Sequence, residues 1–257
     1  VKNRMGFIPS LFTVLNLFCG FMAIINADAL NFEQAALFIL YAGLFDMFDG
    51  VVARFTGTSS KFGVELDSLA DMVSFGVAPS FILYKVYFFS LDGLGIALSA
   101  LIMIFGALRL ARFNAQLVGF DKNYFSGVPV PIPAVTVSSF ILFYYNQNFN
   151  AQVSEIFLYC IAIVLPLLMV SKFKYDTTPK FNKREVKEHP VKSIIVILSV
   201  ILILVTKGEG LFAFCLFYIS TGIFRSTKNQ IRKIFFKKKV SSDEDEADEN
   251  LKWKESN

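Results

Sequence analysis

From Met5 to Ala27 the chain runs for 23 residues without a charge, bounded by Arg4 and Asp28. A helix of that length crosses the ~30 Å hydrocarbon core of a bilayer. Long apolar runs separated by short polar breaks recur along the chain. They predict spans over roughly 7 to 27, 33 to 55, 62 to 88, 93 to 113, 129 to 147, 153 to 170, 193 to 206 and 210 to 224. The expected fold is all-α, a polytopic transmembrane helical bundle of about eight spans. The last two runs hold 14 and 15 residues. At ~1.5 Å per residue they reach about two thirds of the way across unless Lys192 and Lys207 snorkel. Lys207-Gly208-Glu209-Gly210 reads as the hairpin turn between them.

Lys2 and Arg4 ahead of an apolar run that ends Ala27-Asp28-Ala29 also fit a signal peptide. Cleavage there would remove only one helix from a multi-spanning protein, so the run is read as the first span.

Composition agrees with the pattern: 54% of the residues are apolar, 16% are aromatic and 30 are phenylalanine, a balance that excludes an ordinary soluble domain. Basic residues then orient the bundle. With the N-terminus inside, 23 of the 25 Lys and Arg fall in cytoplasmic segments, and only Lys85 and Lys207 lie near the outer face. Both termini are therefore expected in the cytoplasm, which puts the protein in the cell (inner) membrane. The domain reading is a transmembrane catalytic domain over 1–224, with a basic cytoplasmic loop over 171–192. A charged cytoplasmic tail follows over 225–257, running from Lys237-Lys238-Lys239 into Asp243-Glu244-Asp245-Glu246. Such a tail is too charged to bury a core and is expected to be disordered. Its basic cluster is read as a positive-inside anchor before it is read as an anionic-lipid site.

Cys19, Cys160 and Cys215 lie in apolar stretches at wide spacing and are expected to be small buried hydrophobes. With His189 the only histidine, a metal here would be held by oxygen.

Those oxygens are conspicuous. Asp46, Asp49, Asp67 and Asp71 interrupt otherwise apolar helices, where ionisable groups are costly and function is the default explanation. Asp46 and Asp49 stand at i and i+3, and Asp67 and Asp71 at i and i+4, so each pair shares one helix face. Asp49 comes five residues before Arg54, and Asp67 six after Lys61. Two antiparallel helices would thus carry them ~8 and ~9 Å from the charged ends, with Asp46 and Asp71 at ~12 and ~15 Å. Four converging anions need cations, and Mg²⁺ or Mn²⁺ suits an all-oxygen set. Gly50, Ala53 and Gly63 on the same faces leave room for a bulky ligand, with Arg54 at the mouth for a phosphate. Close helix packing is the other reason for such small residues.

Written out, Asp46-x2-Asp49-Gly50-x2-Ala53-Arg54-x8-Gly63-x3-Asp67-x3-Asp71 resembles the signature of the CDP-alcohol phosphatidyltransferases at every fixed position. The resemblance implies a helical, usually homodimeric membrane enzyme in which two divalent ions assist displacement of CMP from a CDP-linked donor by an alcohol. By position it assigns Asp46, Asp49, Asp67 and Asp71 to the metals and makes Asp71 also the general base. Asp49, Gly50, Ala53, Arg54 and Gly63 would receive the CDP-lipid.

Leu66 to Pro79, with Met72 directly after the fourth aspartate, is similar to the phosphatidylserine synthase branch. Arg109-Leu110-Ala111-Arg112-Phe113-Asn114 is similar too, as is Pro9 to Gly20 with Thr13, Asn16 and Cys19. The resemblance is strongest over 8–135. It implies CDP-diacylglycerol and L-serine as substrates, membrane lipid as the surroundings and no nucleic acid. Arg109, Arg112 and Asn114 are the acceptor-binding candidates, since a zwitterion needs a cation for its carboxylate. Positive-inside anchoring is the other reading of the two arginines.

Gly127-Val128-Pro129-Val130-Pro131-Ile132-Pro133-Ala134 matches a Gly-x-Pro-x-Pro element of that branch, with Ile132 and Pro133 where small residues are common. Broken backbone there fits a gate or pocket. Glycerol phosphate or inositol phosphate as acceptor keeps the same reaction. An ion-coupled transporter is the rival of a different class, because intramembrane acids also mark ion paths.

Overall fold

The computed structural model describes residues 7–56, 60–116, 124–145, 147–171, 173–176, 198 and 201–227. Helices α1 (Phe7–Asp28) and α2 (Phe32–Thr56) form an antiparallel hairpin. The hairpin turns through Leu30 at φ 63°, with the Asn31 N–H donating to the Asn26 carbonyl at 2.8 Å. Helix α3 (Lys61–Asp71) runs without a break into a wide π-helical turn, Met72–Val77, and then α4 (Ala78–Val86). A 3₁₀ turn, Phe88–Leu91, leads to α5 (Asp92–Gln116), followed by the short α6 (Pro131–Phe143), then α7 (Ala151–Val170) and α8 (Gly210–Thr227).

Packing follows the membrane rule rather than the aqueous one. On α1 the large side chains Leu11, Val14, Phe18, Phe21 and Ile25 are exposed at helical spacing, whereas Thr13, Asn16, Cys19, Ala23 and Ala27 are buried on the other side. Lipid is as apolar as leucine, so burying leucine brings little gain. Small and hydrogen-bonding residues let helices approach and hold one another. Ala35, Ala36 and Ala42 give α2 the same kind of inner face.

Among the described residues six helices are long and apolar enough to cross a membrane. The fifth expected span, 129 to 147, contains a helix of only 13 residues. Prolines delay its start and the chain turns at Tyr144. Half of the seventh, 193 to 206, lies outside the described residues, with helix present over 201–205; most of the 171–192 loop and of the 225–257 tail also lies outside them. The turn expected at Lys207 to Gly210 is present: Lys207 and Gly208 take φ 52° and 103°, and the Tyr144 hydroxyl donates to the Glu209 carbonyl at 3.1 Å.

Two features depart from the sequence reading. A three-residue antiparallel ribbon joins β1 (Tyr124–Ser126) to β2 (Lys174–Asp176), tying the segment after α5 to the segment after α7. Cys160 is exposed, unlike buried Cys19 and Cys215. Its apolar stretch on α7 presents that position to the lipid side, and apolarity along a membrane helix does not distinguish lipid-facing from core positions.

The two ends of the bundle differ. At one end aromatic rings interlock: Phe140 stacks on Phe157 at 5.7 Å and meets Phe212 at 5.5 Å. There Lys85 also pairs with Asp28 at 2.8 Å. At the other end lie the aspartates.

Candidate active site

The α1 helix supplies the polar contacts that turn the acidic side chains. The Thr13 hydroxyl donates to Asp49 Oδ2 in a buried contact, and one turn along Asn16 Nδ2 donates to Asp71 Oδ1 at 3.1 Å. The Ser74 hydroxyl in the π-turn donates to the Asn16 carbonyl at 2.9 Å, so α1 is fastened to both sides of the Asp71 turn. That fit requires glycine at position 20, where a Cβ would come to 2.7 Å from Ser74 Cα. π-turns inside helices frequently sit at functional sites. This one begins at the residue after Asp71.

Carboxylate oxygens of Asp46, Asp67 and Asp71 all lie within 4.8 Å of one another. Asp49 falls outside this trio. It is turned to Thr13 but remains close enough to interact electrostatically with Asp46 and Asp67. The faces of α2 and α3 therefore converge as their spacing predicts, with three carboxylates at the centre and the fourth beside them. Like charges so close cost free energy unless a cation compensates them. The donor set contains neither histidine nor cysteine and fits a hard divalent ion.

A cation also approaches from α5. Arg109 is 8% exposed, and its guanidinium lies within electrostatic reach of Asp71. Its partner in the sequence reading, Arg112, turns elsewhere and donates to the Val170 carbonyl at the end of α7 at 3.3 Å. Asn114 Nδ2 donates to Ser68 Oγ at 2.9 Å, which brings the end of α5 against α3 between Asp67 and Asp71.

Three buried polar atoms around this centre have no hydrogen-bond partner: Asn16 Oδ1, Arg109 Nε and Asn114 Oδ1. Such orphans are few in native proteins and call for an explanation. Asn16 and Asn114 carry the orphan acceptors and Arg109 the orphan donor.

The small residues divide by surroundings. A Cβ at Gly50 would meet nothing within 4 Å, so that surface of α2 is open. Gly63 lies against the Ser60 hydroxyl that caps α3, where its N–H donates at 3.0 Å. Ala53 is half-buried on the last turns of α2. The side chain of Arg54 lies outside the described residues.

The Gly127 element proves to be pinned. Gly127 takes φ 83° and donates its N–H to the Phe173 carbonyl at 2.8 Å, and the Val128 N–H donates to the Leu168 carbonyl at 3.1 Å. The N–H groups ahead of the prolines thus find partners in the last turn of α7 and just beyond it, as the membrane requires.

The architecture and the acidic centre define a helical membrane protein in which α2 and α3 bring a carboxylate cluster together, with α1 and α5 against it. The chain belongs to the CDP-alcohol phosphatidyltransferase family, whose model matches residues 6–170. It is 38% identical over 237 residues to a Helicobacter pylori protein named CDP-diacylglycerol--serine O-phosphatidyltransferase, covering 92% of this chain and 98% of that one. A Bacillus subtilis protein of the same name is 37% identical over 179 residues, 70% of this chain and 93% of the other. An archaetidylserine synthase of Methanothermobacter thermautotrophicus is 39% identical over 170 residues, 65% and 69% of the two chains.

Thr13, Asn16 and Ser74 are the site residues to which the sequence reading gave no role. Thr13 and Asn16 stand at i and i+3 in an apolar helix, the same signal that exposes the aspartates.

Proposed function

We propose that the chain transfers the phosphatidyl group of CDP-diacylglycerol to the hydroxyl of L-serine, releasing CMP, at a site on the cytoplasmic side of the cell membrane. The observation that carries this reading is the set of orphaned polar atoms beside the acidic trio, on Asn16, Arg109 and Asn114. An amino-acid acceptor has a carboxylate for Arg109 and an ammonium for the oxygen of Asn114, and it fits that set without a second basic cluster. The family and the names of the relatives point the same way.

Asp46, Asp49, Asp67 and Asp71 would hold two divalent ions, Mg²⁺ or Mn²⁺. When bound, these would neutralise the diphosphate and the charge that develops as CMP leaves. The open face at Gly50, with Ala53, Gly63 and Arg54, receives the CDP-lipid. Asp71 accepts the proton of the serine hydroxyl as that oxygen bonds to the phosphatidyl phosphorus. The phosphorus–oxygen bond to CMP breaks with its electron pair on CMP, and no covalent enzyme intermediate is needed. Asn16 steadies one oxygen of Asp71. The distribution of basic residues favours cytoplasmic termini and about eight spans, and the working unit is a homodimer in membrane lipid.

The test uses purified protein with CDP-diacylglycerol, Mn²⁺ and one acceptor at a time. CMP release is expected with L-serine; release with glycerol phosphate or inositol phosphate but none with serine would overturn the reading.

A further inference from the structure

Ser68 stands on α3 directly after Asp67 and one helical turn before Asp71. Its hydroxyl is used in both directions. It donates to the Val64 carbonyl one turn back at 3.1 Å and accepts from Asn114 Nδ2 of α5 at 2.9 Å. A hydroxyl has a single hydrogen. With that hydrogen on Val64, only lone pairs face α5, so the end of Asn114 turned to Ser68 is its NH₂.

The consequence falls on the other end of the amide. An unrestrained asparagine presents either a donor or an acceptor to a ligand by turning its last torsion through half a circle. Held by Ser68, Asn114 presents only oxygen. That oxygen, Oδ1, is buried and has no hydrogen-bond partner. A simple tie between α3 and α5 accounts for the Nδ2 bond but leaves the oxygen unexplained, and a buried acceptor left unmet is costly.

We infer that Ser68 is a positioning residue that sets acceptor specificity: its hydroxyl turns the Asn114 amide so that the site meets the incoming alcohol with a bare oxygen, selecting one that carries an ammonium group. This rests on the acceptor role given to Asn114 above. An ammonium only donates, so the oxygen attracts it, whereas an amide NH₂ in the same place would repel it. A phosphate group reverses the preference. A site built to bond a substrate N–H discriminates strongly against an analogue that lacks it, because the buried oxygen then stays unmet. The bond that serine commonly makes to the carbonyl one turn back thereby gains a use, since it keeps the Ser68 hydrogen away from Asn114.

The test compares full-length wild type with Ser68→Ala, Ser68→Thr, Asn114→Ala and the double variant Ser68→Ala/Asn114→Ala. KM for serine, KM for CDP-diacylglycerol and kcat are measured at saturating Mn²⁺, and 3-hydroxypropionate, which is serine without its amine, is titrated as an inhibitor. Ser68→Ala should raise KM for serine about fivefold, the size of one ordinary hydrogen bond. KM for CDP-diacylglycerol should stay within about twofold. Ser68→Thr keeps a hydroxyl able to bond one turn back and should keep KM for serine within about twofold of wild type. In the Asn114→Ala background the loss of the Ser68 hydroxyl should add less than about twofold, since the two act as a unit. Inhibition by 3-hydroxypropionate should be weak or absent, and equal in wild type and Ser68→Ala. An unchanged serine KM in Ser68→Ala, full additivity in the double variant, equal rises in both KM values, or a wild type that binds 3-hydroxypropionate as well as serine would overturn the inference. A wild type that releases no CMP with serine would instead sink the serine reading, and this inference with it.

Discussion

Asn16 and Asp71, 55 positions apart in the chain, are joined by a 3.1 Å hydrogen bond between α1 and the last residue of α3. The bond commits one carboxylate oxygen to the amide; in the proposed mechanism the other takes the proton and faces the metal. Asn16 is itself fastened through its carbonyl to Ser74. Replacing Asn16 by alanine removes the side-chain restraint and leaves that backbone contact in place. The loss should fall on kcat, by about tenfold to a hundredfold for a hydrogen bond to a charged group. KM for CDP-diacylglycerol should move little. Steady-state CMP release measures both, and an Asn16→Ala enzyme with wild-type kcat would show that Asp71 needs no such orientation.

The acidic trio yields a metal test. Asp46, Asp67 and Asp71 converge within 4.8 Å, and removing one charge should weaken the grip on a divalent ion more than it perturbs the fold. Asp46→Asn is nearly isosteric. Its half-saturating Mn²⁺ concentration should rise by about tenfold or more, a change of the size seen for altered metal environments. Wild-type activity should vanish in EDTA and return on adding Mn²⁺. An Asp46→Asn enzyme with an unaltered Mn²⁺ titration would remove Asp46 from the ligand set.

Two glycines should separate stability from binding. A methyl at Gly20 would press to 2.7 Å on the backbone of Ser74, where little can yield. Overpacking of this kind costs ~1–3 kcal/mol. Gly20→Ala should therefore lower the thermal midpoint in detergent. Gly50→Ala meets open space, so the fold should be unaffected or gain up to about 1 kcal/mol from helix propensity. Its KM for CDP-diacylglycerol should nonetheless rise, because the methyl enters the surface proposed for the nucleotide. A Gly50→Ala protein with wild-type KM would mean that the surface is merely exposed.

Much of this was legible in advance, for a physical reason. Charges in hydrocarbon are so costly that Asp46, Asp49, Asp67 and Asp71 stand out against any apolar background, and helical spacing says which of them share a face. The spacing cannot say what lies opposite. The bond between Thr13 and Asp49, and the resulting separation of Asp49 from the trio, depend on how α1 is rotated. The π-turn at Met72–Val77 was hidden as well, since one extra residue in a turn leaves an apolar run looking continuous. The ribbon of three-residue strands is too short for any alternation to declare it. Arg109 and Arg112 look equivalent at i and i+3, and only the neighbouring helices separate them: one faces Asp71 and the other the end of α7.

The ribbon offers a test at a distance from the acids. Gly127 follows β1 directly and takes φ 83°, a conformation that costs a side chain of order 1 kcal/mol or more. A Cβ there would also stand 2.8 Å from the carbonyl carbon of Met169. Gly127→Ala must therefore displace the backbone that donates to Phe173, and with it the start of the ribbon that carries Tyr175. Stability should fall by about 2 kcal/mol or more, seen as a lower thermal midpoint. The displaced turn adjoins Met169 and Val170, and the Val170 carbonyl receives Arg112, so the surviving folded enzyme should also bind serine more weakly while its KM for CDP-diacylglycerol stays near wild type. A loss of stability with both KM values unchanged would confine Gly127 to the fold, and a protein of wild-type stability would show that the turn accommodates a methyl that its backbone geometry says it cannot.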